Sequence, residues 1–232
     1  YSGTSASNLQ QIAVTLAGVT TYRNVLLTPG TTYYYGIVAV EETIDAAMSP
    51  VVSAATMPVP GTPTNVAGTA TPTSIALSWQ ENPQPGALPV SYYQVYQGTA
   101  PGSLTKVAST TGTSYTAKSL SANTSFYFEI MAVDTSNDNS PLSNPISVTT
   151  LALPAAPINV AATASSATDV TITWSENIPP NGLPIKSYDI YRGASPASLT
   201  KLTSRLASPY TDQSGTPGTI YYYAVEAIDS NQ

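Results

Sequence analysis

Residues 27–40, LTPGTTYYYGIVAV, decide how this chain is read. A Pro-Gly turn followed by aromatic and β-branched residues reads as a strand entered through a tight corner. The pattern returns as ANTSFYFEIMAV over residues 122–133 and as PGTIYYYAVEAI over residues 217–228. Three copies of one strand point to architecture before chemistry, and other landmarks give the length of the repeating unit. Trp79 in SIALSWQEN and Trp174 in VTITWSEN stand 95 residues apart. Tyr96 in YQVYQG and Tyr191 in YDIYRG are separated by the same interval, which also relates YSGTSASNL at Tyr1 to YQGTAPGSL.

A unit of about 95 residues predicts three domains: residues 1–58, the C-terminal half of a unit; 59–153, a complete unit; and 154–232, a unit without its last strand. A half sandwich exposes its core face and unpaired strand edges. The terminal units are therefore expected to be completed, either by further residues of a longer repeat protein or by strands donated from a neighbour. The two ends carry the same segment of the repeat, which favours the longer protein.

The 232 residues are 42% hydrophobic, enough to bury real cores, and only 9% charged, far below the roughly 25% of ordinary soluble domains. Thr, Val and Tyr take up the difference and favour strands. In the middle unit TNVAGTA and SIALSW read as the first two strands, with Ile75, Leu77 and Trp79 on one face. A proline-rich loop, ENPQPGALPV, leads to YYQVYQG, then KVASTTGTSYTA, FYFEIMAV and, after DTSNDNSPLS, the last strand PISVTTLA. No stretch holds a helical period. Tyr35, Ile37 and Ala39, with Phe128, Ile130 and Ala132 and with Tyr223, Val225 and Ala227, are expected to face the core.

These residues resemble tandem fibronectin type III domains of the bacterial secreted or cell-surface kind. The resemblance is carried by Pro63 and Pro157 before the first strand, by Trp79 and Trp174, by the tyrosine strands YQVYQG and YDIYRG, and by the LxPGTxY corner from Leu27 to Tyr33. It implies an all-β fold of tandem immunoglobulin-like sandwiches, seven strands in two sheets without an inter-sheet disulfide, in keeping with the absence of Cys. It also implies that Tyr33 and Tyr221 are structural, each sending its hydroxyl back to the backbone at the corner before the sixth strand. The middle unit departs from the pattern: Ala122 and Asn123 replace Pro-Gly, and Phe126 replaces the tyrosine. Its corner is expected to be looser or tied another way.

Little chemistry is on offer. With no His and no Cys there is no triad base, thiol nucleophile or zinc-type ligand set. The acidic residues Glu81, Glu176, Asp134 and Asp229 fall where a sandwich meets solvent, and Glu81 and Glu176 are repeat-equivalent, which suits a turn or capping role. Asp134, Asn137, Asp138 and Asn139 make an oxygen-rich loop without calcium-loop spacing, so side chains satisfying their own turn are expected. No catalytic residue, metal or cofactor is assigned. Net charge is −6 and the 7 basic residues are scattered, which argues against nucleic acid. Prolines 50, 58, 60, 63 and 72 interrupt the uncharged run of residues 46–80, so it is no membrane helix.

Alternation predicts one set of exposed aromatics: Tyr34, Tyr92, Tyr96, Tyr127, Tyr191 and Tyr222, a candidate contact face for cross-strand pairing, lateral packing or glycans. Tyr1 and Met131 share its side. The linkers MPVPGTP (57–63) and LALPAAP (151–157) are proline-rich and predict semi-rigid connections. The expectation is a non-catalytic extracellular or cell-surface segment of a stalk, filament or adhesin, whose partners are neighbouring domains or copies of itself. The alternative is a spacer region of a secreted polysaccharide-degrading enzyme.

Overall fold

The computed structural model describes residues 1–41 and 45–230. They form strands and turns, with no helix among the described residues. The first stretch holds β1 (Ser2–Gly3), β2 (Thr32–Tyr35) and β3 (Val52–Ala55). The middle holds β4 (Thr64–Ala70), β5 (Ile75–Gln80), β6 (Val90–Gly98), β7 (Thr105–Thr110), β8 (Ser114–Ala117), β9 (Ser125–Asp134) and β10 (Ile146–Thr149). The last holds β11 (Ile158–Ala164), β12 (Val170–Ser175), β13 (Ile185–Gly193), β14 (Thr200–Arg205), β15 (Tyr210–Asp212) and β16 (Tyr222–Asp229). The chain packs as two compact units, Tyr1–Ala67 with Ser78–Tyr115 and Phe128–Ile146, and Gly68–Leu77 with Thr116–Tyr127 and Ser147–Gln232.

In the middle stretch seven strands form two sheets, ordered β4-β5-β8 and β10-β9-β6-β7. Strand β5 is written for that arrangement, since Ile75, Leu77 and Trp79 are buried while Ala76, Ser78 and Gln80 are exposed. Trp79 meets the Tyr93 ring edge-on, with centroids 5.5 Å apart, a geometry favoured by the aromatic quadrupole. Phe128, Ile130 and Ala132 are buried, the orientation expected from the sequence. The segment KVASTTGTSYTA, read as one piece, is two strands, β7 and β8, placed in different sheets.

The third stretch repeats the plan with sheets β11-β12-β15 and β14-β13-β16. Ile172, Trp174, Tyr188 and Ile190 form its core, and Tyr223, Val225 and Ala227 pack against it partly buried. Asn159 carries a φ of 54° where β11 slips register against β12, and Asn65 carries 51° in β4. Asparagine tolerates this left-handed conformation, and its side chain ties the irregularity to the neighbouring strand: Asn65 donates to Gln80 at 2.6 Å and Asn159 to Ser175 at 3.4 Å.

In the first stretch β1, β2 and β3 form one sheet. The expectation that Ile37 and Ala39 are core residues fails here: Ile37 is 75% exposed, against 0% for its repeat-equivalent Ile130. No second sheet covers this face among the described residues. Residues 21–24 correspond to β8 yet form no strand, because β8 and β15 pair only with the second strand of their own unit and residues 21–24 have no such partner among the described residues.

The corner before β9, which lacks the tyrosine, is tied by Thr150. Its hydroxyl donates to the Ser121 carbonyl at 2.7 Å and accepts from the Thr124 amide at 2.9 Å, while its own amide donates to the Thr124 carbonyl at 3.0 Å. Thr56 makes the same clamp on Thr28 and Thr31, at 2.7 Å and 3.0 Å. Thr150 is fully buried, so replacing its hydroxyl with a methyl strands an amide and a carbonyl. Thr150→Val is expected to destabilise the chain by about 2 kcal/mol, read as a lower urea midpoint at unchanged m-value, with Thr150→Ser close to wild type.

Candidate functional site

The tyrosines of the candidate face are for the most part only partly exposed. Tyr34, Tyr92, Tyr96, Tyr127 and Tyr191 are half-buried, and Tyr222 is exposed. Two are held by their own sheets. The Tyr96 hydroxyl donates to the Gln94 carboxamide at 2.9 Å and lies 4.0 Å from the Met131 sulfur. The repeat-equivalent Tyr191 donates to Glu226 at 2.7 Å, across the β13–β16 ladder. Beside it Asp189, at the Gln94 position, pairs with Lys201 and accepts from Ser204 at 2.6 Å. The Lys201 and Ser204 hydrogen bonds hold the Asp189 carboxyl below its usual range, and the Glu226 hydrogen bond raises the Tyr191 phenol. The tyrosine hydroxyl thus meets a neutral carboxamide in the middle unit and a carboxylate in the third.

The corner tyrosines are structural. Tyr33 accepts the Thr28 amide at 3.0 Å and Tyr221 the Thr216 amide at 3.2 Å, each five residues upstream. These hydrogen bonds lower both phenols. Next to Tyr221 lies a network that sequence reading missed. Arg192 donates to Asp212 at 2.7 Å, Tyr223 donates to the same carboxylate at 2.9 Å, and the Ser214 hydroxyl and amide reach its other oxygen at 2.7 Å and 3.0 Å. The Arg192 guanidinium also stands 4.7 Å from the centre of the Tyr221 ring. The middle unit has Gln97, Ala117 and Phe128 at these places, and the first has Asn24 donating to Tyr35 at 3.4 Å. The signal lay in the repeat itself: an aspartate where the preceding copy has a buried alanine.

Glu81 and Glu176 are exposed at the ends of their strands. Burial, then the nearby Glu81 carboxylate, pushes the Tyr93 phenol up to about 12, and burial with Glu176 raises Tyr188. Asp134 and Asp229, expected at the solvent edge, are buried instead. The reason is visible at Asp134, whose carboxylate accepts the amides of Ser136 at 2.8 Å and Asp138 at 2.9 Å and so holds the loop closed from inside. No group of three metal-ligating side chains converges among the described residues.

Burial alone would raise the Asp212 carboxyl, but hydrogen bonds from Ser214, Tyr223 and Arg192 outweigh it and hold it at about 2. A carboxyl lowered in the folded state contributes stability that is full above its unfolded value near 4 and is lost as pH falls through the folded value near 2. The third unit is expected to lose about 2 kcal/mol over that window. Asp212→Asn is expected to flatten this acid limb in urea titrations between pH 5 and pH 2 and to lower stability at pH 7 by a similar amount.

The family model of the fibronectin type III domain matches residues 61–149. Exoglucanase B of Cellulomonas fimi is 31% identical over 179 residues, covering 74% of this chain and 16% of its own. Endoglucanase B of Cellulomonas fimi is 32% identical over 245 residues, covering 95% of this chain and 22% of its own. Chitinase A1 of Niallia circulans is 31% identical over 180 residues, 74% of this chain and 24% of its own. The chain therefore spans less than a quarter of the length of each of these relatives. Among solved structures, the FN1–FN3 domains of chicken CNTN1 align over 88% of this chain and 74% of theirs at 17% identity, with a TM-score of 0.38. Through residues 61–149 the chain belongs to the fibronectin type III family.

Proposed function

We propose that this chain is a non-catalytic, extracellular spacer region of a polysaccharide-degrading enzyme, with repeats over residues 1–58, 59–153 and 154–232. The observation that carries this reading is the nature of the relatives: an exoglucanase, an endoglucanase and a chitinase share it at 31–32% identity, over no more than 24% of their length. Three hydrolases named for different reactions or substrates, each similar to this chain over a small part of its own length, suit a region that serves the chemistry without performing it. The sheet faces agree, because Tyr96 and Tyr191 direct their hydroxyls to partners in their own sheets. Its partners on this reading are neighbouring domains of the same polypeptide.

A second reading, a segment of a stalk, filament or adhesin, is favoured by the regular period of about 95 residues and by Tyr92, Tyr127 and Tyr222 of the candidate face. The two readings separate on material from the native source, using intact mass, negative-stain microscopy and hydrolysis of cellulose and chitin. The spacer reading expects short particles, a mass well above 24.1 kDa and hydrolytic activity that the isolated chain lacks. Long regular fibres without hydrolytic activity would overturn it.

A further inference from the structure

The segment leaving β10 is gripped by the loop that precedes β13. The Ala152 amide donates to the Asn181 carbonyl at 3.0 Å, and the Asn181 side-chain amide donates to the Thr150 carbonyl at 3.2 Å. Ala152 also bridges Gly182 in parallel fashion and is only 6% exposed. Asn181 reaches both groups because its backbone is left-handed, with φ of 61°, a conformation asparagine accepts at small cost. Thr150 is the residue whose hydroxyl clamps the corner before β9, so this grip seizes the linker at a point already fixed on its other side.

The preceding junction has the same parts without the grip. Thr56 clamps its corner as Thr150 does, and two residues on, at the place of Ala152, stands Pro58. The loop before β6 has Gly86 at the place of Asn181, with φ of 82°. Proline has no amide hydrogen and glycine no side-chain amide, so both hydrogen bonds of the later junction are ruled out by residue type in the earlier one. What remains is packing: Pro60, Gly61 and Pro63 are buried, Gly61 lies so close to the Asn82 carbonyl that no Cβ would fit, and a Cβ on Gly86 would lie 3.8 Å from the Pro58 ring.

We propose that Asn181 is a latch that stiffens the junction at residues 150–157, and that the junction at residues 57–63 is a looser joint because Gly86 and Pro58 cannot form it. The inference rests on the spacer reading and adds the position at which such a spacer bends. The earlier joint relies on proline stiffness and the packing of its buried residues Pro60, Gly61 and Pro63, whereas the later adds to proline stiffness the two latch hydrogen bonds and one from the Asn177 side chain to the Ala156 carbonyl at 3.0 Å.

The absence of cysteine allows paired spin labels to be placed on the full chain without background. Labels at the exposed positions Thr116→Cys and Thr211→Cys report the latched junction, and Ser53→Cys with Thr105→Cys the other. Amide exchange at Ala152 reads the latch directly. Asn181→Gly, which keeps the left-handed backbone, and Asn181→Asp, which keeps the shape but loses the donor, are each expected to speed Ala152 exchange roughly fivefold and to broaden the 116–211 distance distribution. Gly86→Asn, which supplies an amide at the repeat-equivalent place opposite Thr56, is expected to narrow the 53–105 distribution. Unchanged Ala152 exchange in both Asn181 variants overturns the latch. A 116–211 distribution already broad in the unmodified chain overturns the spacer reading instead, since a limp connector holds nothing apart, and leaves the exchange result to judge the latch separately.

Discussion

Each sandwich must close two sheets over one core with no covalent link between them, and a tryptophan does it. Trp174 projects from β12 to the ring of Tyr188 on β13, with centroids 5.3 Å apart, and Trp79 and Tyr93 repeat the arrangement. An aromatic pair of this kind contributes about 1 kcal/mol beyond its buried area, and the area itself several times that. The remaining core residues, Ile75 and Leu77 or Ile172 and Ile190, take positions that the alternation of their strands then fixes. Where no second sheet lies opposite among the described residues, as around Ile37, the same side chains stand in the open. The sequence of a core strand is thus necessary for burial and not sufficient for it.

That contrast explains which features could be read from the chain alone. Strand faces and the repeat were legible because they follow local rules: period two in IALSWQ, a fixed interval between Trp79 and Trp174, a turn signature before Tyr33. The loss of Ile37 and Ala39 from the core was not, because burial is a property of what lies opposite. The buried aspartates were misread for a related reason. A carboxylate after a strand looks solvated until the amides of Ser136 and Asp138 are found converging on it. The threonine clamps were hidden because threonine is common here and only the fold reveals that Thr150 and Thr56 lie against a corner.

The outer faces show how far a shared backbone leaves chemistry free. Tyr96 leans on Gln94 and Met131, whereas Tyr191 answers to Glu226 in a neighbourhood held by Asp189 and Lys201. A half-buried tyrosine accepts either surrounding, because its ring covers the sheet and its hydroxyl turns to whatever acceptor is near. Surface ion pairs of this sort add little stability. Their more consistent effect is to give otherwise similar faces different electrostatic character.

The network around Asp212 has a consequence for how such a chain avoids tangling during folding. Tandem copies of one fold can exchange equivalent strands, and the danger grows with their likeness. If β15 settled into the place of β8, Asp212 would arrive at the buried site of Ala117, without Arg192 or Tyr223 to meet its charge. An unpaired carboxylate in such a place is costly enough to expel the intruder. The reverse exchange would leave Arg192 facing an alanine. The ionic corner therefore acts as an address, marking which strands belong to which copy along a chain of near-repeats.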